Sequence, residues 1–392
     1  MAEETRLIRA GARSGDLVKT VGPPIQKGST VLLPNAAALY DDHGYLTYGR
    51  AGLAAHEALK EALAEMEGAG GVCLYPSGLA AVTGAMLAVL KAGDEVLVAD
   101  NVYKPTRRFC DNVLARYGVS VRYFDPALAP HGLLASASPA TRLIAMESPG
   151  SLTFEMQDLA AVARLAREAG VLTLTDNTWA AGYLFKPLEH GVDISVQALT
   201  KYVGGHSDVF MGSAAARDPE LVRKLESGVH DLGWSVSAED AYQMLRGLRT
   251  LPARLKAQGD AALVIAKWLQ GQPEVAEVIH PGLPGDPHHD LWARDYGGAC
   301  GLFGFVLKPG EPGAPDAFLD ALRLFGLGFS WGGFESLAIV SDPQLGKRSY
   351  ARSYAGPLMR LHIGLEAPED LIADLRQALD AYARFTAAPS GS

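Results

Sequence analysis

Cysteine is scarce in this chain: three of its 392 residues are cysteines, and no two of them lie close together in the sequence. Cys73, Cys110 and Cys300 are too few and too far apart for a disulfide framework or a cysteine-rich zinc site. We predict that all three are reduced and act mostly as packing residues.

An excess of positive charge is also lacking. The chain has 35 Lys and Arg against 44 Asp and Glu, which gives a formal net charge of -9. Binding to a nucleic-acid backbone draws on many basic groups, so this balance predicts that no nucleic acid is a partner.

Long apolar runs and nucleotide-binding glycine patterns are missing too. No apolar run reaches the roughly 20 residues of a membrane-spanning helix. The first ten residues, MAEETRLIRA, are charged and lack the apolar stretch of a signal peptide. We therefore predict no membrane partner and a cytoplasmic location. No strand is followed by GxGxxG, which argues against a dinucleotide site.

What remains is the composition of a globular protein with more than one core. Hydrophobic residues make up 48% of the chain and charged residues 20%, and this composition with this length favours two domains. The first fifty residues have little periodicity and contain Pro23, Pro24 and the Gly/Tyr-rich stretch 41–50. Residues 1–51 are predicted to form an extended arm.

Residues 52–248 are predicted to form a large α/β domain. A run rich in Ala, Leu and Glu begins near Leu53 and stops at the glycines 68, 70 and 71, as expected for a helix. Short β-rich runs then alternate with helical runs, which predicts a mostly parallel, doubly wound sheet. The predicted strands are one near Leu74 and then 94–100, 119–125, 142–148, 171–176, 192–198 and 211–216.

The pattern changes after about residue 250. A long helical segment is followed by the β-rich runs VAEVIHP and GLFGFVLK and by a terminal helix around LIADLRQALDAYARF. Residues 249–392 are therefore predicted to form a smaller α+β domain. The loop 280–292 holds three histidines, but it lacks the spacing that sets ligand geometry, so we predict a solvated loop and no metal site.

Residues that follow the strands are the first candidates for a site, because ligands of open α/β sheets bind beyond the carboxyl ends of the strands. The turn 76–79 (PSGL) opens a helix whose small residues let backbone amides approach an anion. Such a turn is suited to a phosphate. A Ser-Gly turn before a helix is, however, more often a simple N-cap, here at Ser77.

Two further strand ends carry candidate residues. Tyr103 follows the strand that ends at Asp100, where its ring would stack on a planar cofactor or pack in the core. Asp176 ends the apolar strand VLTLTD, where an ionised carboxylate needs a cation or a bound protonated group. The alternative is an Asp that caps the turn through Asn177 and Thr178.

Lys201 is the most informative residue, because it lies between an apolar strand and a glycine pair at 204 and 205. Most lysines are solvated surface charges, but one at the mouth of a buried segment can be neutral and form an imine. Taken together, these residues describe a pyridoxal phosphate site. Such a site combines a helix start suited to a phosphate, a ring that can stack, a carboxylate and, here, a lysine about 25 residues after that carboxylate.

These motifs resemble those of the Cys/Met-metabolism family of pyridoxal phosphate enzymes, and within it the bacterial β-lyases. The resemblance covers nearly the whole chain, includes the spacing from Asp176 to Lys201 and implies a fold-type I enzyme. It rests on the segments 48–52 (YGRAG), 147–155 (ESPGSLTFE), 176–208, 246–251 (RGLRTL), 329–336 (FSWGGFES) and 360–366 (RLHIGLE).

The resemblance implies a carbon–sulfur lyase that uses pyridoxal 5'-phosphate to cleave cystathionine, an amino acid thioether, to homocysteine, pyruvate and ammonia in methionine biosynthesis. It also implies a homo-oligomer, a tetramer made as a dimer of dimers with shared active sites. The catalytic residues do not separate this activity from that of a γ-lyase or cystathionine γ-synthase. A non-catalytic regulatory protein is a more remote alternative, marked by loss of Lys201, Asp176 or Arg360, and all three are present.

The resemblance also assigns roles to single residues. It implies that Lys201 forms the imine with the cofactor and acts as the base, that Asp176 pairs with the pyridinium nitrogen, and that Tyr103 stacks on the ring and assists proton transfer. The other implied contacts are Gly78, Leu79 and Thr200 with the phosphate, Tyr48 and Arg50 reaching in from a neighbouring subunit, Arg360 with the substrate α-carboxylate, and Tyr48, Ser330 and Trp331 with the substrate.

Two positions depart from the wider family, and a third departs from the β-lyase subgroup. Ser151 stands where many members have Asn, and Ala198 stands where many have Ser; both departures resemble the β-lyase subgroup. Phe329 stands where that subgroup commonly has Tyr, so the resemblance does not define the shape of the substrate pocket. His206, five residues after Lys201, is predicted to have a hydrogen-bonded structural role rather than that of a base.

Overall fold

The predicted arm begins with a helix. The computed structural model describes residues 1–10, 20–40 and 46–387, and helix α1 spans Glu3–Arg9. Leu7 is buried in the main core, and Glu3 forms an ion pair with Lys186. The expectation of an arm without regular structure is therefore wrong at its start, because a helix of only seven residues is too short to show its period in the sequence.

The rest of the described arm folds back on itself. Short 3-10 helices span Ala37–Tyr40 and Gly49–Ala51, and an isolated β-bridge joins Thr30 to Tyr48. Residues 41–45, the first half of the Gly/Tyr-rich stretch, lie outside the described residues.

The predicted α/β sheet is confirmed, with one strand that runs against its neighbours. Its strands are β1 Gly71–Tyr75, β2 Glu95–Ala99, β3 Ser120–Phe124, β4 Thr141–Glu147, β5 Leu172–Asp176, β6 Ile194–Gln197 and β7 Gly212–Ala216. Their order is β1-β7-β6-β5-β4-β2-β3. Strand β7 is antiparallel to both β1 and β6, and the other pairs are parallel. No crossover helix separates β6 from β7, and a parallel return would need one.

Helices packed on this sheet follow the predicted alternation. They are α2 Ala54–Glu67, α3 Gly78–Val89, α4 Lys104–Phe109, α5 Pro130–Ala135, α6 Leu159–Glu168 and α7 Pro219–Asp231. A π-helical turn at Cys110–Leu114 and 3-10 turns at Ala115–Tyr117 and Pro187–His190 complete this part. Helix α2 ends at Gly68, whose left-handed backbone donates its N–H to the carbonyl of Ala64, as the glycines in the sequence predict.

One long helix connects this sheet to a second one. Helix α8 spans Ala238–Gln270 and contains Pro252. The domain boundary predicted between residues 248 and 249 falls inside α8, and the division into domains stays a prediction. The strands of the second sheet lie in the order β10-β11-β12-β9-β8. They are β8 Val275–Ile279, β9 Leu302–Leu307, β10 Gly326–Leu327, β11 Leu337–Val340 and β12 Leu358–His362. The helical elements of this part are α9 His289–Asp295, α10 Ala314–Ala321, a 3-10 turn at Asp342–Gln344 and α11 Pro368–Ala387.

The histidine-containing segment 280–292 is more ordered than predicted. His280 and Leu283 are buried, and α9 begins at His289. The prediction of a solvated loop is wrong here, because His280 follows strand β8 directly and packs its ring against Phe303. Within the part of the chain that the structure describes, no helix is both long enough and apolar enough to cross a bilayer.

The strand ends form one edge that can hold a ligand. Strands β1 and β6 run in the same direction, because both are antiparallel to β7. The carboxyl ends of β1, β2, β4, β5 and β6 therefore meet at one edge of the sheet. Helix α3 begins at that edge with Gly78, which lies against Ala198 at the end of β6.

We predict that Gly78→Ala destabilises the protein. An added Cβ would lie 2.3 Å from the Cβ of Ala198, so α3 must shift, at a cost of about 1–3 kcal/mol. The measurement is the midpoint of urea unfolding. Gly346→Ala is the matched control, because a Cβ there would meet nothing within 4 Å. Equal midpoints for the two variants would contradict the packing described here.

Candidate active site

Lys201 lies in a tight turn that follows strand β6. Its N–H donates to the carbonyl of Ala198 (3.0 Å), and its own carbonyl accepts from the N–H of Gly205 (2.8 Å). The turn directs the side chain toward the second sheet, where Nζ donates to Oγ of Ser330 at 2.8 Å. Nζ also lies 5.3 Å from the centre of the Trp331 ring. The structure thus brings Lys201 next to two residues that follow it by about 130 positions in the sequence.

The surroundings of Lys201 favour its neutral form. Burial lowers the pKa of its amine, the positive charge of Arg360 lowers it further, and the carboxylate of Asp176 opposes both; the resulting pKa is about 8. At pH 7 roughly a tenth of this amine is therefore unprotonated, far more than for a solvated lysine. An amine of this kind can act as a nucleophile or as a proton acceptor.

Asp176 ends strand β5 at the same edge. One of its oxygens, Oδ1, accepts from the N–H of Thr178 (3.0 Å) and from the Thr178 hydroxyl (2.5 Å). Burial raises the pKa of Asp176, while the two bonds from Thr178 and the charge of Lys201 lower it. Oδ1 of Asp176 therefore caps the turn, as the alternative interpretation predicts. The other oxygen of the carboxylate stays available for a second role.

Glu147 is a second carboxylate at this edge, and the sequence analysis assigned it no role. It ends β4 directly opposite Asp176 in the strand register, so the two side chains point to the same face of the sheet. Its Oε2 accepts from the N–H of Tyr103 at 2.6 Å. Burial and then the charge of Asp176 hold the pKa of Glu147 well above its usual value. Its position at the end of an apolar strand, like that of Asp176, is the signal that could have found it.

Tyr103 follows strand β2 and precedes helix α4. Its side chain is 46% exposed, so it is not the fully buried packing tyrosine of the alternative interpretation. Because its backbone is held by Glu147, its ring lies at the sheet edge near Asp176 and Arg360, both of which act on the pKa of its hydroxyl group.

Arg360 brings a buried cation from strand β12 of the second sheet. Its Nη2 donates to the carbonyls of Phe329 (3.0 Å) and Ser330 (3.1 Å). Its Nε is buried and has no partner among the described residues. Burial lowers the pKa of this guanidinium to about 10. A buried cation with a free donor is suited to an anionic group such as a carboxylate.

The start of helix α3 is suited to an anion. Ser77 caps the helix, and its Oγ accepts from the N–H of Ala80 at 3.1 Å. The N-cap interpretation of Ser77 is therefore correct, and the first amides of the helix, those of Gly78 and Leu79, still have no acceptor within it. The Thr200 hydroxyl donates to the carbonyl of Met211 at 3.1 Å, and its contact with a phosphate stays a prediction.

Tyr48 and Arg50 lie elsewhere in the chain. Arg50 donates to the carbonyl of His230 at 3.0 Å, and Tyr48 is half exposed. In the described part of the chain, neither forms a hydrogen bond with Lys201, Ser330 or Arg360. This placement is compatible with the prediction that these two residues act in a neighbouring subunit.

The remaining predicted positions have local roles. His206 lies within hydrogen-bond distance of the Gly204 carbonyl, with 2.8 Å to Nδ1. The Ser151 carbonyl accepts from Arg348 (2.7 Å), and the Ala198 N–H donates to the Thr178 hydroxyl (2.9 Å). Phe329 is 76% exposed, beside Ser330.

Comparison with known proteins relates this geometry to one family. The model of the Cys/Met metabolism PLP-dependent enzymes matches residues 4–380. The chain is 44% identical over 368 residues to the cystathionine beta-lyase of Bordetella avium, with 92% of each chain covered. It is 39% identical over 383 residues to cystathionine beta-lyase MetC of Escherichia coli (strain K12), with 95% of this chain and 96% of that protein covered. The crystal structure of metB from Corynebacterium glutamicum superposes with a TM-score of 0.91 at 32% identity, covering 97% of this chain and 98% of that chain.

We predict that Glu147→Gln stabilises the protein increasingly as the pH rises. The folded-state pKa of Glu147 is raised above its usual 4.5, so the wild type loses stability as the pH rises from that value toward the folded-state pKa. Glutamine keeps an acceptor for the Tyr103 N–H and does not titrate. The measurement is the thermal midpoint between about pH 5 and about pH 8.

The control for this prediction is Glu311→Gln, which changes an exposed glutamate. Its midpoint should follow that of the wild type across the same range. A Glu147→Gln protein that also follows the wild type would show that the carboxyl of Glu147 is not desolvated.

Proposed function

The chain belongs to the Cys/Met metabolism PLP-dependent enzymes, and from this membership we propose that it is a carbon–sulfur β-lyase that converts cystathionine to homocysteine, pyruvate and ammonia. The observation that carries the proposal is the contact of the Lys201 amine with Ser330 (2.8 Å), at a position where the charges of Arg360 and Asp176 both act on the pKa of that amine. The likeness to cystathionine β-lyases at 39% and 44% identity supports the choice of substrate.

Pyridoxal phosphate is the cofactor of this family, and the residues at the sheet edge fit it. The free amides at the start of α3 would hold its phosphate, together with Thr200. Asp176 would face its ring nitrogen, Tyr103 its ring, and Lys201 would bind it covalently through Nζ. Gly78 supports this fit, because an added Cβ would meet Ala198 at 2.3 Å, and α3 comes this close to β6 only without a side chain.

The cofactor, when bound, withdraws electrons from the Cα of an attached amino acid, so that the bonds to the Cα proton and to a sulfur on Cβ become weak. The substrate's amino group would take the place of the Lys201 amine on the cofactor, and the amine released in this way would then remove the Cα proton. Its lowered pKa of about 8 makes the neutral form more accessible than in a solvated lysine. The ammonium group so formed donates that proton to the departing sulfur, which leaves as a thiol. The three-carbon fragment is hydrolysed by water to pyruvate and ammonia.

The other residues bind and orient. Asp176 would hold a proton at the ring nitrogen of the bound cofactor, and its carboxylate would be stabilised by that positive charge. Arg360 would bind the substrate α-carboxylate through Nε, the donor that has no partner among the described residues. Ser330 keeps the Lys201 amine at a fixed position, and the Trp331 ring covers that amine and limits its contact with water.

A γ-lyase or γ-synthase is the nearest alternative, since it would use the same lysine for a second deprotonation at Cβ. Ser151 and Ala198 favour the β-lyase. A cytoplasmic location and a tetramer with shared active sites are further parts of the proposal. Sharing is supported by Arg50, whose guanidinium is directed at His230 and not at Lys201 of the same chain.

The reaction product tests the proposed activity. We expect the purified protein to form pyruvate from cystathionine, and Lys201→Ala to lose both this turnover and the visible absorbance of the bound cofactor. The keto acid is identified by chromatography against pyruvate and 2-oxobutyrate standards. A yield of 2-oxobutyrate would move the assignment to a γ-lyase, and undiminished turnover by Lys201→Ala would remove the lysine from the mechanism.

Mixed oligomers test the shared site. Lys201→Ala and Arg50→Ala chains, unfolded and refolded together in equal amounts, should form hybrid dimers in which one site has both defects and the other has neither. Random pairing restores about a quarter of the sites. The measurement is pyruvate formation per subunit, and each variant refolded alone is the control. A mixture no more active than its parents would place both residues in the same subunit's site.

A further inference from the structure

The turn that carries Lys201 depends on a side chain from another element. The carbonyls of Tyr202 and Val203 accept no backbone N–H among the described residues. Arg254 supplies the donors instead: its Nη1 donates to the Tyr202 carbonyl at 2.7 Å and its Nη2 to the Val203 carbonyl at 3.3 Å. Arg254 therefore caps the Lys201 turn in the way that a basic side chain caps the end of a helix.

Arg254 is buried, and each of its partners is neutral. Beyond the two carbonyls of the turn, Nη2 donates to the Gly247 carbonyl (2.8 Å) and Nε to the Thr250 hydroxyl (3.1 Å). No carboxylate pairs with Arg254 in the part of the chain that the structure describes. Burial of a cation without an anion costs folding free energy, and an apolar side chain would fill the same space more cheaply. The position of this charge therefore needs a reason other than stability.

Two glycines allow helix α8 to approach the turn this closely. An added Cβ on Gly247 would lie 2.4 Å from the carbonyl oxygens of Val203 and Gly204. Gly205 has a φ of +71°, and a Cβ there would lie 2.1 Å from Nη1 of Arg254. Both glycines lie in segments that the sequence analysis singled out, and packing of α8 onto the Lys201 turn accounts for them.

The same face of α8 also holds the loop that contains Ser330, the hydrogen-bond partner of Lys201. Gln258 lies one helical turn after Arg254, is fully buried, and donates through Nε2 to the Gly333 carbonyl at 2.6 Å. Gly333 belongs to the loop of Ser330 and Trp331. Residues four apart on a helix share a face, so α8 holds the Lys201 turn with one side chain and the Ser330 loop with the next.

We propose that Arg254, assisted by Gln258, is a positioning residue for Lys201: by binding the carbonyls of Tyr202 and Val203 it fixes the direction of the amine toward Ser330 and the substrate. Neither residue touches the reacting atoms, so neither is catalytic. The inference rests on the proposed function, in which Lys201 is the base. Because α8 holds the Lys201 turn and the Ser330 loop in fixed positions, the amine does not have to be oriented anew in each turnover.

The test compares Arg254→Met, Arg254→Lys and Gln258→Met in the full-length holoenzyme. Arg254→Met should lower kcat for pyruvate formation about 100-fold, the effect of a misplaced catalytic group, with little change in KM. It should also shift the pH midpoint of the visible absorbance of the bound cofactor. Arg254→Lys should recover part of kcat and of the midpoint, because it keeps a donor for one carbonyl. Gln258→Met should show a smaller loss in the same direction.

Lys256→Met is the matched control, since Lys256 lies on the same helix, is exposed and pairs with Asp260. If Arg254→Met lowers only the thermal midpoint, with kcat and absorbance like those of Lys256→Met, the residue is structural and the proposal is wrong. If Arg254→Met does not fold, Arg254→Lys and Gln258→Met must carry the loss of kcat and the shifted pH midpoint; unchanged values in both contradict it.

Borohydride reduction of the wild type, followed by peptide mapping, separates this proposal from the proposed function. Attachment of the cofactor to the peptide that contains Lys201 is expected. Attachment elsewhere would overturn the proposed function itself, whatever the Arg254 variants show.

Discussion

Two cations and two carboxylates meet at one edge of the large sheet, where Arg360 is buried and the other three are partly buried, and their balance of charge is the constraint on which the rest of the site depends. Burial and the neighbouring Arg360 lower the pKa of Lys201 to about 8. Burial raises the pKa values of Asp176 and Glu147, and the charge of Asp176 raises that of Glu147 further. Such a cluster is expensive to bury unless each group has a partner. The hydrogen bonds from Thr178 and the Tyr103 backbone provide partners for the carboxylates, and Arg360 keeps a donor free for an anion.

The site exists only where the two sheets meet. Lys201, Asp176, Glu147 and Tyr103 follow strands of the first sheet, whereas Arg360 lies on the second sheet and Ser330 in one of its loops. Helix α8 spans both, and its Arg254 and Gln258 contact one side each. A relative shift of the two sheets would separate the Lys201 amine from Ser330 and would break either the contact of Arg254 with the Lys201 turn or that of Gln258 with the Ser330 loop, so the same contacts that build the site also fix how the sheets pack.

Predictions from the sequence were correct where a local pattern of residues is sufficient to favour one local structure. Each β-rich run of the first sheet became a strand, and the glycines at 68, 70 and 71 ended α2. It failed where the cause is not local. Helix α1 is too short to show a period and is held by the burial of Leu7. The direction of β7 depends on the absence of a crossover helix. His280 is buried because it packs on Phe303, far along the chain. Arg254 looks like an ordinary charged residue until its surroundings are known, whereas Glu147 has a signal in its position at the end of an apolar strand.

The sequence by itself determined the fold class, the family and the residues able to do the chemistry: Lys201 after an apolar strand, Asp176 at the end of another, and the small residues that open α3. These follow from strand periodicity and from motifs whose order along the chain is visible without coordinates. Only the tertiary structure decided which of those residues meet, which carboxylate faces Asp176, and what holds the lysine in place. The reason is that desolvation and hydrogen-bond geometry depend on distances between segments that lie up to about 260 residues apart, and no local pattern carries those distances.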